Sequence, residues 1–142
     1  ILWLNENEIE EIDVRLFESL SNLKELWLDN NKLKKIDSNT FKNLTKLQKL
    51  YLGNNKIEQI DLNSFETLSD LKLLYLYKNK LKRIDSNILN NLCKLEILEL
   101  SSNKIEQIDL KSFESLSNLK LLKLHNNKLK EIDRISFEPL FT

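Results

Sequence analysis

The sequence repeats itself every 24 residues. That period constrains the fold more than any local signal, because a unit so short cannot bury its own apolar side chains and must stack on copies of itself. In the 142-residue chain, residues 1–22 form a unit lacking its first two positions, and 23–46, 47–70, 71–94, 95–118 and 119–142 are complete ones. Each complete unit reads L-x-x-L-x-L-x-x-N-x-[LI]-x-x-I-D, and four residues after that Asp comes the return-arm position, Phe in all but one unit, with Leu three further on. One column holds Asn7, Asn31, Asn55, Asn79, Asn103 and Asn127; another holds Asp13, Asp37, Asp61, Asp85, Asp109 and Asp133, each preceded by Ile. The return-arm column holds Phe17, Phe41, Phe65, Phe113 and Phe137 and is interrupted by Leu89.

Each column has a physical reading. Leu-x-Leu, as in Leu26-Trp27-Leu28 and Leu50-Tyr51-Leu52, alternates as a strand with one buried face does. The Asn that follows sits where the chain turns inward, and its amide can donate and accept at once, so stacked Asn side chains can satisfy backbone groups of adjacent turns. Each Asp is expected to accept backbone N–H groups and start the next turn, as in Asp37-Ser38-Asn39, rather than to hold calcium, which needs several converging oxygens.

The copies of L-x-x-L-x-L-x-x-N-x-L resemble the leucine-rich-repeat family over the whole chain. The 24-residue length with a Phe on the return arm is similar to that family's "typical" subclass, common in extracellular receptors, proteoglycans and adhesion proteins. The resemblance implies a single α/β domain, 1–142, folded as a right-handed solenoid, with one parallel strand per repeat on a concave face and short 3₁₀ or irregular turns on the convex face. It also implies a non-catalytic module that holds a protein or peptide, outside the cell or on its surface. Extracellular relatives carry cysteine-rich caps that this chain lacks, so a cytoplasmic location stays open. An array without caps is expected to be a segment of a longer protein, or to associate end to end through exposed core leucines.

Composition narrows the function from the other side. Lys and Arg (22) cancel Asp and Glu (22), so no net field draws the chain to nucleic acid or an anionic membrane. One Gly and one Pro rule out a Gly-rich phosphate loop or a Pro-rich linker. The single Cys93 excludes an internal disulfide, and with His125 as the one histidine, nucleophilic catalysis and a metal centre have almost no raw material. Cys93 reads as a small filler, and His125 as a solvated contact residue. No cofactor is expected, nor direct membrane insertion, since no apolar run approaches the roughly 18 residues of a spanning helix. Asn43-Leu44-Thr45 matches a glycosylation sequon on the convex side.

A second periodicity overlies the first. The net charge by repeat runs −5, +3, −2, +5, −3, +2, and residues 56–76 match 104–124 at 17 of 21 positions. The array therefore reads as duplications of a 48-residue pair. The alternation places acidic turns between basic ones, with Glu58 expected to face Lys34 and Lys82, and it sets register and solubility rather than a charged ligand stripe.

Residues flanked by buried leucines must point to the concave face. One such column is Trp3, Trp27, Tyr51, Tyr75, Glu99 and Lys123, so its first four members should form an aromatic ladder. Beside it, Leu73, Ile97 and Leu121 on one flank and Tyr77 on the other extend an apolar diagonal, while Gly53 opens a notch or simply relaxes a turn. The solenoid core lies on the other side of the sheet and needs none of these aromatics. Trp3, Trp27, Tyr51, Tyr75, Tyr77, Leu73, Ile97 and Leu121 are therefore the candidate partner-binding residues, since exposed apolar surface rimmed by charge marks interaction sites. The alternatives are cross-strand stacking that only stiffens the sheet, and a spacer or assembly element that uses its ends or its convex face.

Overall fold

A computed structural model of the chain describes residues 1–109 and 111–141, so Leu110, which falls in the duplicated segment 104–124, and Thr142 lie outside the described residues. The L-x-L segments form strands β1 (Leu2–Trp3), β2 (Glu25–Trp27), β4 (Lys49–Tyr51), β6 (Leu73–Tyr75), β8 (Ile97–Glu99) and β10 (Leu121–Lys123). Between them lie the two-residue strands β3 (Lys35–Ile36), β5 (Gln59–Ile60), β7 (Arg83–Ile84) and β9 (Gln107–Ile108). The first set builds one parallel sheet in the order β1-β2-β4-β6-β8-β10, each strand beside the one a repeat before it. Its register aligns Leu26 with Leu50, Leu50 with Leu74, and Leu74 with Leu98, so every sequence column becomes a physical row.

Stacking supplies the core that no single turn could bury. Leu26, Leu50, Leu74 and Leu98 are fully enclosed, as are Phe17, Phe41 and Phe113. The phenylalanines pack ring to ring from turn to turn, with centroids 6.1 Å apart for Phe17–Phe41, 6.2 Å for Phe41–Phe65 and 5.5 Å for Phe113–Phe137. Leu89 breaks that row. The convex returns are turns, with 3₁₀ segments at Val14–Phe17 and Glu138–Phe141 and one α-helical turn at Arg134–Phe137, so the helical share of the α/β fold is slight.

The asparagine row behaves as its chemistry requires. Asn79 Oδ1 accepts the Ile57 N–H at 2.9 Å, and its Nδ2 donates to the carbonyls of Leu52 and Leu76 at 2.9 and 3.1 Å. Asn31, Asn55, Asn103 and Asn127 repeat the pattern, each tying its own turn to the one before. Among the described residues, the Asn7 side chain donates only to the carbonyls of Leu4 and Asn5. The residue before each of these asparagines takes a left-handed conformation, with φ between 50° and 57° at Glu6, Asn30, Asn54, Lys78, Ser102 and Asn126. Asn tolerates that region, whereas Glu, Lys and Ser are held there at some cost.

The 48-residue duplication has a structural counterpart on the wall opposite the strand sheet. There β3 pairs with β5 and β7 pairs with β9, joining the second turn to the third and the fourth to the fifth. The hydroxyls of Ser64 and Ser112 reinforce these joins by donating to Ile36 and Ile84 carbonyls at 3.2 Å. At the other three junctions, among the described residues, the wall keeps one backbone bond each: Lys32 to Ile9, Lys80 to Ile57, Lys128 to Ile105. The charge alternation also acts across turns, as in Lys34–Glu10 at 2.7 Å, Lys94–Asp70 at 2.6 Å and Lys120–Glu96 at 2.8 Å. The expected partners of Glu58 need correction. Glu58 pairs with Lys80, two positions before Lys82, at 3.3 Å, and Lys34 is taken by Glu10 at 2.7 Å.

Candidate functional site

The register of the strand sheet brings the aromatic column together on the side away from the core. Trp27 stacks on Tyr51 with ring centroids 3.7 Å apart and planes 18° from parallel, and Tyr51 stacks on Tyr75 at 5.0 Å and 6°. The three rings are half-buried, largely by one another. Trp3 occupies the same column on β1 but is 70% exposed. Leu73, Ile97 and Leu121 align in the adjacent column, half-buried at Leu73 and Ile97 and open at Leu121.

Tyr77 lies in the next column and lays its ring across Gly53. A Cβ at Gly53 would overlap Cε1, Cζ and Cδ1 of that ring. Space, not backbone conformation, accounts for this glycine, since it does not adopt positive φ. The notch is thus filled by a residue of the same surface, and the aromatic patch becomes two columns wide.

Two buried carboxylates in these columns escaped the sequence reasoning. Glu99 follows Tyr75 in the ladder and is 5% exposed; it accepts the Ser101 N–H at 3.0 Å and pairs with Lys123 at 3.0 Å. Burial opposes its ionisation, but Ser101, through hydroxyl and backbone N–H, and the Lys123 ammonium outweigh it and hold the carboxyl below its ordinary value. Asp29, beside Gly53, is pushed up by burial, which its own backbone N–H and Asn30 only partly offset. Asp29 Oδ1 and Trp27 Nε1 are enclosed without a hydrogen-bond partner among the described residues. The signal that could have flagged Glu99 was present: an acid followed by Lys123 in an otherwise aromatic column. Asp29 had no such partner in its column.

Lys49 at the ladder's flank pairs with Glu25 at 2.9 Å, so the lysines of β4 and β10 are both tied to glutamates on a neighbouring strand. The Asp column divides. Asp13, Asp85 and Asp133 accept the N–H two residues on, as the turn reading requires, whereas Asp37 is taken by Lys35 and Asp109 by Arg83. Cys93 is exposed and fills no gap, which corrects its reading as a packing residue; its thiol lies on a convex return whose core position is held by Leu92. His125 is exposed on the concave rim, and Asn43 is half-buried on the convex side. Among the described residues, no helix is long and apolar enough to cross a membrane.

Comparison with known proteins agrees with this architecture. The leucine rich repeat family profile matches residues 1–57, 45–105 and 93–140. No curated protein sequence matches the chain. Among solved structures, one chain of a TLR13–ssRNA13 complex superposes with TM-score 0.78 at 29% identity over 94% of this chain. One chain of the Toll–Spatzle complex, described as a hub in Drosophila development and innate immunity, superposes with TM-score 0.82 at 27% identity over 95% of this chain. The chain spans 23% and 18% of the lengths of those two.

Proposed function

From the premise that the chain belongs to the leucine-rich repeat family, we propose that it is a non-catalytic recognition module that holds a protein or peptide on its concave face. One observation carries the reading: the continuous Trp27–Tyr51–Tyr75 stack, widened by Tyr77, lies on the face opposite the core. Trp and Tyr supply large contact area for little lost rotamer entropy, and they dominate binding energy when neighbours exclude water around them. Trp3 and Leu121 give the patch exposed ends, and the Glu25–Lys49 and Glu99–Lys123 pairs give it a neutral polar rim.

A protein or peptide fits this surface better than nucleic acid does. A phosphate backbone needs unpaired cations, and the lysines beside the aromatic ladder already have carboxylate partners. Similarity to one chain of the Toll–Spatzle complex supports a receptor-like role outside the cell or on its surface.

The test is a displayed peptide library selected on this chain, with the winning peptides measured against single variants. Trp27→Ala and Tyr51→Ala are expected to weaken binding by tenfold or more, and Lys42→Ala on the convex face to leave it unchanged. Losing one stacked pair should cost the fold only about 0.5–1.5 kcal/mol beyond area. Unchanged affinity in Trp27→Ala together with clear destabilisation would show that the ladder merely stiffens the sheet.

A further inference from the structure

Three cavities of this solenoid open on the wall opposite the strand sheet. Between the first and second turns lies a space of about 120 Å³, between the third and fourth one of about 520 Å³, and between the fifth and sixth one of about 480 Å³. These are the three junctions where the wall opposite the strand sheet loses its pairing. Two of the spaces are polar: Glu10, Glu11 and Asp37 line the first, and Glu106, Asp109, Glu131 and Asp133 line the last. The central one is different. Leu76, Leu81, Leu89 and Leu100 form its floor, and Ile60, Ile84 and Ile88 its sides.

Three residues that line or rim it differ from their counterparts in other turns. Leu89 removes the ring that every other turn supplies to the phenylalanine row. Ile88 stands where the third and fifth turns carry Ser64 and Ser112, so no hydroxyl reaches back to close the wall. Leu62 stands where the second and fourth turns carry Ser38 and Ser86, and it sits at the rim, 51% exposed. Most charges at the mouth are engaged by neighbours, Arg83 by Asp109 at 2.8 Å, Glu58 by Lys80 at 3.3 Å, Asp61 by the Gln59 amide at 2.8 Å and Asp85 by the Asn87 N–H at 2.9 Å, while Lys82 has no ion-pair partner among the described residues.

We propose that this cavity, between the third and fourth turns, is a binding site for a small uncharged aromatic molecule of one or two rings, separate from the concave surface. The volume falls within the roughly 300–1,000 Å³ of ordinary ligand pockets. Apolar lining favours an apolar occupant, and an enclosed cavity of only about 150 Å³ already takes benzene. The ring fills the place beside Leu89 where the phenylalanine row is interrupted. A charged ligand is disfavoured, because the leucine and isoleucine lining would strip its water without offering it a partner.

Indole and benzoate, titrated against the whole chain by NMR with methyl-labelled Leu and Ile, test the assignment. The expected result is saturable indole binding with contacts from the ring to the methyls of Leu81, Ile84 and Ile88, and benzoate at least tenfold weaker. Leu89→Phe places a ring in the cavity and should weaken indole at least tenfold. The contacts in the unmodified chain decide the matter if that variant does not fold. Absence of saturable binding, contacts that map elsewhere, benzoate binding equally well, or a folded Leu89→Phe that retains indole would each overturn the proposal.

Discussion

Replacing Asn79 with Ala removes one amide from the middle of the asparagine row, and the structure allows the cost to be worked out atom by atom. The Leu52 carbonyl accepts from both Asn55 and Asn79, and the Leu76 carbonyl from both Asn79 and Asn103. Each carbonyl therefore keeps one donor. The Ile57 N–H keeps nothing: its partner is Asn79 Oδ1 at 2.9 Å, and Ile57 is fully buried. An orphaned buried donor costs about 1–3 kcal/mol, and each lost bond whose acceptor remains paired about 0.5–1.5. The sum is about 4 kcal/mol, with the range running from about 2 to 6. Asn7→Ala is the internal control, because the same side chain in the first turn is exposed and donates only within that turn. It should cost less than about 0.5 kcal/mol. Urea unfolding followed by circular dichroism measures both, with the slope checked for a change in cooperativity. Equal losses in the two variants, or a loss below about 1 kcal/mol for Asn79→Ala, would refute the view that cross-turn amide bonding, rather than local turn geometry, is what the column supplies.

Lys78 is held at φ 50° where three other turns carry Asn, so Lys78→Asn should stabilise the chain by about 0.5–1 kcal/mol in the same urea assay. Glu58→Lys puts a third cation beside Lys80 and Lys82 and should cost less than about 1 kcal/mol, a loss that shrinks as salt rises in parallel melts. Asp29 and Glu99 should pull stability in opposite directions as pH changes. Glu99 titrates below its ordinary value, so its contribution is present above the unfolded carboxylate range and is lost as pH falls through the folded value; Glu99→Gln should therefore destabilise at pH 7 and little at pH 3. Asp29 titrates above its ordinary value, so the fold weakens as pH rises through that window, and Asp29→Asn should stabilise at pH 7 relative to pH 3. Melting both variants across pH 3–7 checks the signs.

The sheet, its register and the residues that face outward were legible from the repeat alone. A 24-residue period places Leu26, Leu50 and Leu74 in one row however the turns between them run, and period-two alternation then sends Trp27, Tyr51 and Tyr75 to the other side. Both are statements about position within a unit, and six copies of the unit leave little room for another answer. What the tertiary structure decided concerns contacts between atoms roughly a repeat apart in sequence, whose closeness depends on how the turns stack. Glu58 finds Lys80 rather than Lys34, Tyr77 covers Gly53, Asp29 loses its access to water, and Glu99 gains Lys123. The 48-residue duplication was visible as an alternation of charge, but which junctions keep a second strand pairing, β3 with β5 and β7 with β9, was decided by how the turns stack. That Leu89 and Ile88 meet at a junction without that pairing, where an apolar cavity lies, is a fact of stacking that no single repeat contains.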